Sequence, residues 1–258
     1  MTFSLRLTAD LALALAARAI GGKHRSFPIL HLSPENNFDS SSSPSFMNGH
    51  QDEHASFQSV ARVSRYRSPI IWIGGSEPLD HPQVARFSNA LAASGRHVFV
   101  ETSGASLKQR LHEFRPSSRF HFVVRFDDGK FSCHHPMVAG DVFRIGQEAI
   151  RMARLAGFFT CANLVMHRDT PAGEIEGLHA EIHKLDVDGF LITSESFTPE
   201  IQKHISRVRR RLLNRRWALI SSLLDSNATP AVLRVSQRSE QRPVPESQQG
   251  SYEEGVEA

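Results

Sequence analysis

The chain has 258 residues, of which 40% are hydrophobic, which suits one domain with a full core and a disordered end. Thirty basic against 27 acidic residues leave a formal charge of +3, too small to point to a partner unless the charge is clustered. The only two cysteines, Cys133 and Cys161, stand far apart, which argues against a disulfide framework and fits a reducing cytoplasm.

Leu11 to Ala17, followed by Ala17-Arg18-Ala19, imitates a signal peptide, but Arg6 and Asp10 interrupt the apolar run. No stretch of eighteen apolar residues follows that could span a bilayer. Leu7, Leu11, Ala14 and Leu15 share one face at helical spacing, so residues 1–26 are expected to hold an amphipathic helix packed on the domain. Contact with a membrane surface, at the inner face, stands as the alternative. Phe27 to Leu32 reads as a strand ended by Pro34. From Glu35 to Gln51 the composition turns to Ser, Asn, Asp, Pro and Gly, a mobile loop over 35–51. His50 and His54 are four apart without a third ligand, so a solvated helix start is the simpler reading. A helix from Glu53 to Arg65 leads to the next strand.

Pro69-Ile70-Ile71-Trp72-Ile73 reads as a buried strand, and Gly74-Gly75 allows a tight turn with open backbone amides at its carboxyl end. Glu77 sits on that turn, where a carboxylate can hold an ammonium group, and a helix is expected from Asp80 to Ser94. Arg96 to Glu101 is the next strand. The hydroxyls of Thr102 and Ser103 either meet a ligand or cap the helix expected from Ser106 to Phe114. Arg119 to Phe126 is a strand, closed by the turn Asp127-Asp128-Gly129. Cys133-His134-His135 is the densest group of potential ligands, but no second pair stands at zinc-finger spacing. Asp141 to Ala156 has a continuous apolar helical face. Phe158 to Met166 is an apolar strand whose single polar residue is Asn163, placed there for a ligand or satisfied by neighbouring backbone. A helix from Pro171 to Leu185 and a strand from Val187 to Ile192 follow. A last helix runs from Pro199 to about Leu224, and its Arg207 to Trp217 stretch is basic. That stretch could touch nucleic acid or an anionic membrane, although a solvated outer face explains it more simply, and nucleic acid is the disfavoured partner. Residues 226–258 are expected to be a disordered tail.

Strand and helix alternate at near-regular intervals, the pattern of an α/β fold with a parallel sheet. Gly74-Gly75-Ser76-Glu77-Pro78-Leu79, followed by His97 to Gly104, resembles the paired motifs of radical S-adenosylmethionine (SAM) enzymes. Leu155-Ala156-Gly157-Phe158, Asn163 and Val187 to Ser194 extend the likeness toward the hopanoid-biosynthesis branch, whose members adenosylate a hopene. The resemblance implies a partial (βα)6 barrel over 27–225. It places SAM or another nucleoside against Gly74, Gly75, Glu77, Thr102, Ser103 and Asn163. One departure is large: the family's C-x3-C-x2-C loop, which holds a [4Fe–4S] cluster, falls here on Leu32 to Ser45. Phe38, Ser42 and Ser45 stand at the ligand positions. The cluster is therefore expected to be absent, and the chain to be a non-catalytic SAM-binding or accessory protein. An enzyme with the cluster ligated elsewhere, by Cys133 or Cys161, and a membrane- or RNA-associated scaffold are the alternatives. Substrate and oligomeric state stay open.

Overall fold

The chain was analysed as a computed structural model that describes residues 5–19, 28–32, 63, 64, 66, 68–75, 77–127, 136–167, 170–194 and 198–227. The 35–51 loop, His50 and His54, most of the expected 53–65 helix, Asp128-Gly129, Cys133-His134-His135 and the tail beyond Asn227 lie outside the described residues.

Six apolar stretches form the strands β1 (Ile29–Leu32), β2 (Ile70–Ile73), β3 (His97–Thr102), β4 (Phe120–Asp127), β5 (Phe159–Met166) and β6 (Gly189–Ser194). They lie in the order β1-β2-β3-β4-β5-β6, every neighbouring pair parallel, and the sheet curls into a half-barrel. The helices are α1 (Leu5–Ala19), α2 (Val84–Ala93), α3 (Leu107–Arg110), α4 (Pro136–Leu155), α5 (Ala172–His183), α6 (Pro199–Leu212) and α7 (Arg215–Asn227). A parallel sheet buries both faces, and two cores result. On the convex side Ile73, Val100, Phe122, Val124, Leu164 and Ile192 pack against Phe87 and Leu91 of α2, Ile150 of α4, Ile182 of α5 and Ile205 of α6. On the concave side Ile70, Trp72, Phe99, Val123, Cys161 and Leu191 meet Leu7 and Leu11 of α1 and Trp217, Ile220 and Leu224 of α7. Each large side chain fully withdrawn from water contributes roughly 1.5–3 kcal/mol.

Several boundaries differ from the sequence reading, each for a local reason. The last strand begins at Gly189 rather than Val187, because Asp188 is tied to Thr160 instead. Its N–H donates to the Thr160 carbonyl (2.8 Å) and its carboxylate accepts the Thr160 N–H (2.9 Å). The helix expected from Asp80 starts at Val84, since Pro78–Asp80 forms a separate 3-10 turn capped by Glu77. The single helix expected from Pro199 to Leu224 is two. Leu213 is extended (φ −103°, ψ 147°), and Asn214 Oδ1 accepts the N–H groups of Arg216 and Trp217 at 3.1 Å each, which starts α7 afresh.

That break lets α7 turn back and pack against both β6 and β1, closing the open side of the half-barrel. Gly189 makes the approach possible, because a Cβ there would lie 2.1 Å from the Trp217 ring. The outer edge of β6 is satisfied by side chains. Arg209 Nε and Nη2 donate to the Ile192 carbonyl (2.7 and 2.5 Å), the Ile192 N–H donates to Ser221 Oγ (3.2 Å), and the Ser194 N–H donates to Asp225 Oδ1 (3.4 Å). Arg209 and Asp225 form an ion pair at 2.6 Å with side chains only 3% and 5% exposed. Arg209 therefore does not belong to the solvated basic face expected over 207–217; it sits on the apolar side of α6 with Ile201, Ile205 and Val208. Burial lowers the Arg209 pKa and raises that of Asp225, in each case against the pull of the partner's charge.

A pair enclosed in this way holds geometry more than it adds stability, yet losing one member leaves the other charge uncompensated. Arg209→Met should lower the unfolding free energy by about 3–5 kcal/mol in urea titration. Arg209→Met combined with Asp225→Leu should recover only part of that, because the Ile192 carbonyl loses both of the guanidinium donors it accepts from.

Candidate functional site

In a parallel sheet the carboxyl ends of all strands meet on one rim, and the concave side of that rim is where chemistry-bearing side chains converge. Four of the six strands contribute to one hydrogen-bonded chain there. Trp72 Nε1 of β2 donates to Glu101 Oε2 of β3 (3.2 Å), Asn163 Nδ2 of β5 donates to Glu101 Oε1 (2.9 Å), and Thr193 Oγ1 of β6 donates to Asn163 Oδ1 (3.0 Å). Glu101 is half-buried. Burial is the largest influence on its carboxyl and holds the pKa above the usual glutamate value. The Asn163 hydrogen bond, the Arg125 charge and the Trp72 hydrogen bond pull downward, and the Glu77 charge pushes up. Gly74 is what lets this carboxylate approach the strand, since a Cβ there would lie 3.0 Å from both Glu101 Oε2 and Trp72 Nε1. Gly75, exposed, takes φ 137°, a conformation that favours glycine.

Glu77 is half-buried and joins the exits of β2 and β3. Its Oε2 accepts both the N–H (2.8 Å) and the hydroxyl (2.6 Å) of Ser103, and its Oε1 accepts the Leu79 N–H (3.3 Å). Thr102 is buried, and its hydroxyl accepts the Gly104 N–H at 3.0 Å, a local cap rather than part of the concave network. Of the six residues singled out from the sequence, Gly74 and Asn163 thus touch the Glu101 chain. Gly75, Glu77 and Ser103 form the rim beside it, and Thr102 is turned to a turn-capping task.

Sequence reasoning passed over Glu101 itself, although an acid two residues beyond Phe99 in an otherwise apolar strand was the available signal. It also missed the cluster at the ends of β4 and β5. Asp127 Oδ1 lies 2.6 Å from His167 Nε2 and Asp127 Oδ2 lies 3.2 Å from Arg125 Nη2. Burial pushes the Asp127 pKa up, but the hydrogen bonds and charges of His167 and Arg125 outweigh it and hold the group below the usual aspartate range. His31 of β1 lies beside Trp72, with ring centroids 6.4 Å apart; burial lowers its pKa to about 4, which keeps it neutral.

Cys161 lies deep in the concave apolar layer, and burial, reinforced by the Asp188 charge, raises its thiol pKa well above the usual value. A buried neutral thiol is a poor fit to a thiolate-ligated cluster. Among the described residues no three His, Cys, Asp or Glu side chains are grouped to hold a metal ion.

No protein-family profile matches the chain, and no curated protein matches it. Among solved structures it is similar to SuiB of Streptococcus suis bound to S-adenosylmethionine, with a TM-score of 0.51 at 16% identity over 81% of this chain. The same protein bound to its precursor peptide SuiA gives a TM-score of 0.49 at 15% identity over 76% of this chain and 46% of that one. The chain spans 53% of the length of the SAM-bound SuiB, and at this identity the likeness shows the fold alone, an α/β half-barrel.

Glu101 provides a direct check on the rim. A carboxyl whose pKa is raised by folding weakens the fold once it ionises, so its penalty is absent below the ordinary value of 4.5 and grows as pH rises through the raised one. Tryptophan fluorescence should contain a transition with a midpoint above 4.5 that Glu101→Gln abolishes. At low pH the amide stands in for the protonated carboxyl, each with one acceptor oxygen and one donor group, so there the substitution should leave the urea midpoint nearly unchanged.

Proposed function

We propose that this chain is a radical SAM-like half-barrel that binds S-adenosylmethionine, or a related nucleoside, at its mouth and acts as a binding or accessory protein without cluster chemistry. The observation that carries this reading is the Trp72–Glu101–Asn163–Thr193 chain, a directed set of donors and acceptors assembled from four strands on the concave rim. The fold that it shares with a SAM-bound protein and the Gly74-Gly75-Ser76-Glu77-Pro78-Leu79 motif support the same choice of ligand.

The polar groups suit the two halves of such a ligand. Glu101 and Asn163 together offer an acceptor and a donor at fixed spacing, the complement of a ribose diol. An ionised carboxylate has about four lone-pair sites, and Glu77 uses three on Leu79 and Ser103, which leaves one for an ammonium group. Asp127, held ionised, orients Arg125 beside Glu101, and the guanidinium supplies positive charge for a carboxylate. Bound SAM would bring a sulfonium centre, and its reductive cleavage needs an electron from a cluster held by thiolates. Residues 35–51 contain no cysteine, and Cys161 is enclosed as a thiol in apolar surroundings. The alternative readings, an active enzyme with atypical ligation or adenosyl transfer to a hopanoid-like lipid, would need the usual three thiolates, and this sequence has two cysteines, Cys133 and Cys161.

Calorimetry with SAM and with methylthioadenosine, which lacks the amino-acid half, tests the assignment of both halves. Asn163→Ala should weaken both ligands by about tenfold, equivalent to about 1.4 kcal/mol, whereas Glu77→Ala should weaken SAM alone. Unchanged SAM affinity in both variants would remove the ligand from this rim. Anaerobic incubation with iron and sulfide should leave the protein without a stoichiometric visible charge-transfer band; a brown protein with bound iron would overturn the non-catalytic reading.

A further inference from the structure

The opposite end of the half-barrel presents groups that ligand binding at the mouth does not use. α1 is anchored there, since Asp10 Oδ2 lies 3.0 Å from His97 Nε2, on the first residue of β3, and 3.6 Å from Arg119 Nη1, one residue before β4. Leu7, Leu11 and Ala14 are buried against the domain as the sequence spacing predicts. The outward side of the same helix is also apolar. Leu5 and Leu13 are 78% and 70% exposed, and the exposed Ala9, Ala12 and Ala16 join them in a continuous ridge at helical spacing. A helix that only covers a domain carries polar residues outward, whereas this one presents leucines and alanines along that ridge.

A basic collar lies at the same end of the sheet as the ridge. Because every strand points the same way, the amino ends of all strands and the carboxyl ends of the returning helices lie at this end. Arg6 on α1, Arg115 before β4, Arg151 near the end of α4, Arg210 near the end of α6 and Arg215 at the start of α7 are all exposed, and none is paired with a carboxylate among the described residues. Among the described residues the acids at this end are engaged: Asp10 by His97 and Arg119, Glu113 by Arg110, Glu181 by Lys184, and Asp186 and Asp188 by Arg154. Leu155, 90% exposed, ends α4 on the same side.

We propose that this end of the half-barrel docks on an anionic phospholipid surface. Leu5, Leu13 and Leu155 enter the boundary between headgroups and acyl chains while the arginines meet phosphates. Charge complementarity selects this occupant. A second copy of the chain would set the same basic collar against itself. A nucleic acid would satisfy the arginines and leave the leucine ridge in water. The ridge and collar fit a surface that is apolar below and negatively charged above.

Sedimentation of the full chain with vesicles of phosphatidylcholine, alone or mixed with phosphatidylglycerol, tests the assignment. The mixed vesicles should retain the protein at low salt and the neutral ones should not, and retention should fall as salt rises. Leu5→Asp/Leu13→Asp and Arg210→Glu/Arg215→Glu should each reduce retention by about tenfold or more. These are exposed positions, so circular dichroism and urea midpoints should match the parent chain. The proposal is overturned if the parent chain ignores anionic vesicles, or if both variants bind like it. Retention lost with the arginines but kept without the leucines would mark mere polyanion adsorption and would also overturn it. So would a concentration-dependent dimer in sedimentation velocity that Leu5→Asp/Leu13→Asp abolishes.

Discussion

An incomplete barrel has an edge that it must satisfy, and here the outer edge of β6 sets the terms for the rest. Its backbone groups would otherwise be open to water or to another strand. Arg209 and α7 occupy that edge with side chains, and because Arg209 must be enclosed to do so, Asp225 is enclosed with it. The break at Leu213 exists to bring α7 back, and the bare Cα of Gly189 gives the Trp217 ring its place. The same closure reaches the rim. Asp225 holds the N–H of Ser194, next to Thr193, whose hydroxyl fixes the Asn163 amide and thereby the side chain that donates to Glu101.

The concave side is layered along the strands. At the amino ends His97 and His121 lie side by side. His97 pairs with Asp10, while burial lowers the His121 pKa to about 3, so that ring stays neutral and stacks on Phe99 at 4.4 Å. Above them Phe99, Val123, Cys161 and Leu191 form an apolar layer with residues of α1 and α7. The polar rim comes last, at the carboxyl ends. Alternation along each strand dictates this order: His97, Phe99 and Glu101 occupy successive inward positions of β3, as His121, Val123 and Arg125 do on β4.

Much of this was legible in the sequence, because strand positions and the α1 face follow from short-range spacing. Leu7, Leu11 and Ala14 are buried as their periodicity requires. The Gly74-Gly75 turn lies at the carboxyl end of β2, as the sequence predicts. What could not be read is pairing at long range. Glu101 and Asn163 meet across 62 positions of sequence, and nothing local says that they do. Other misses had a signal that went unused. Arg209 falls on the same helical face as Ile201, Ile205 and Val208, which marks it as the arginine of its run that turns inward, and Asn214 is a good capping residue in front of a new helix.

The apolar middle layer has an effect that neither end displays alone. Phe99, Val123, Cys161 and Leu191 offer no chain of oxygens or nitrogens along which a proton or a file of water could hop between the histidine pair and the glutamate rim. Among the described residues, the histidine foot and the glutamate rim are therefore held apart by packed apolar side chains.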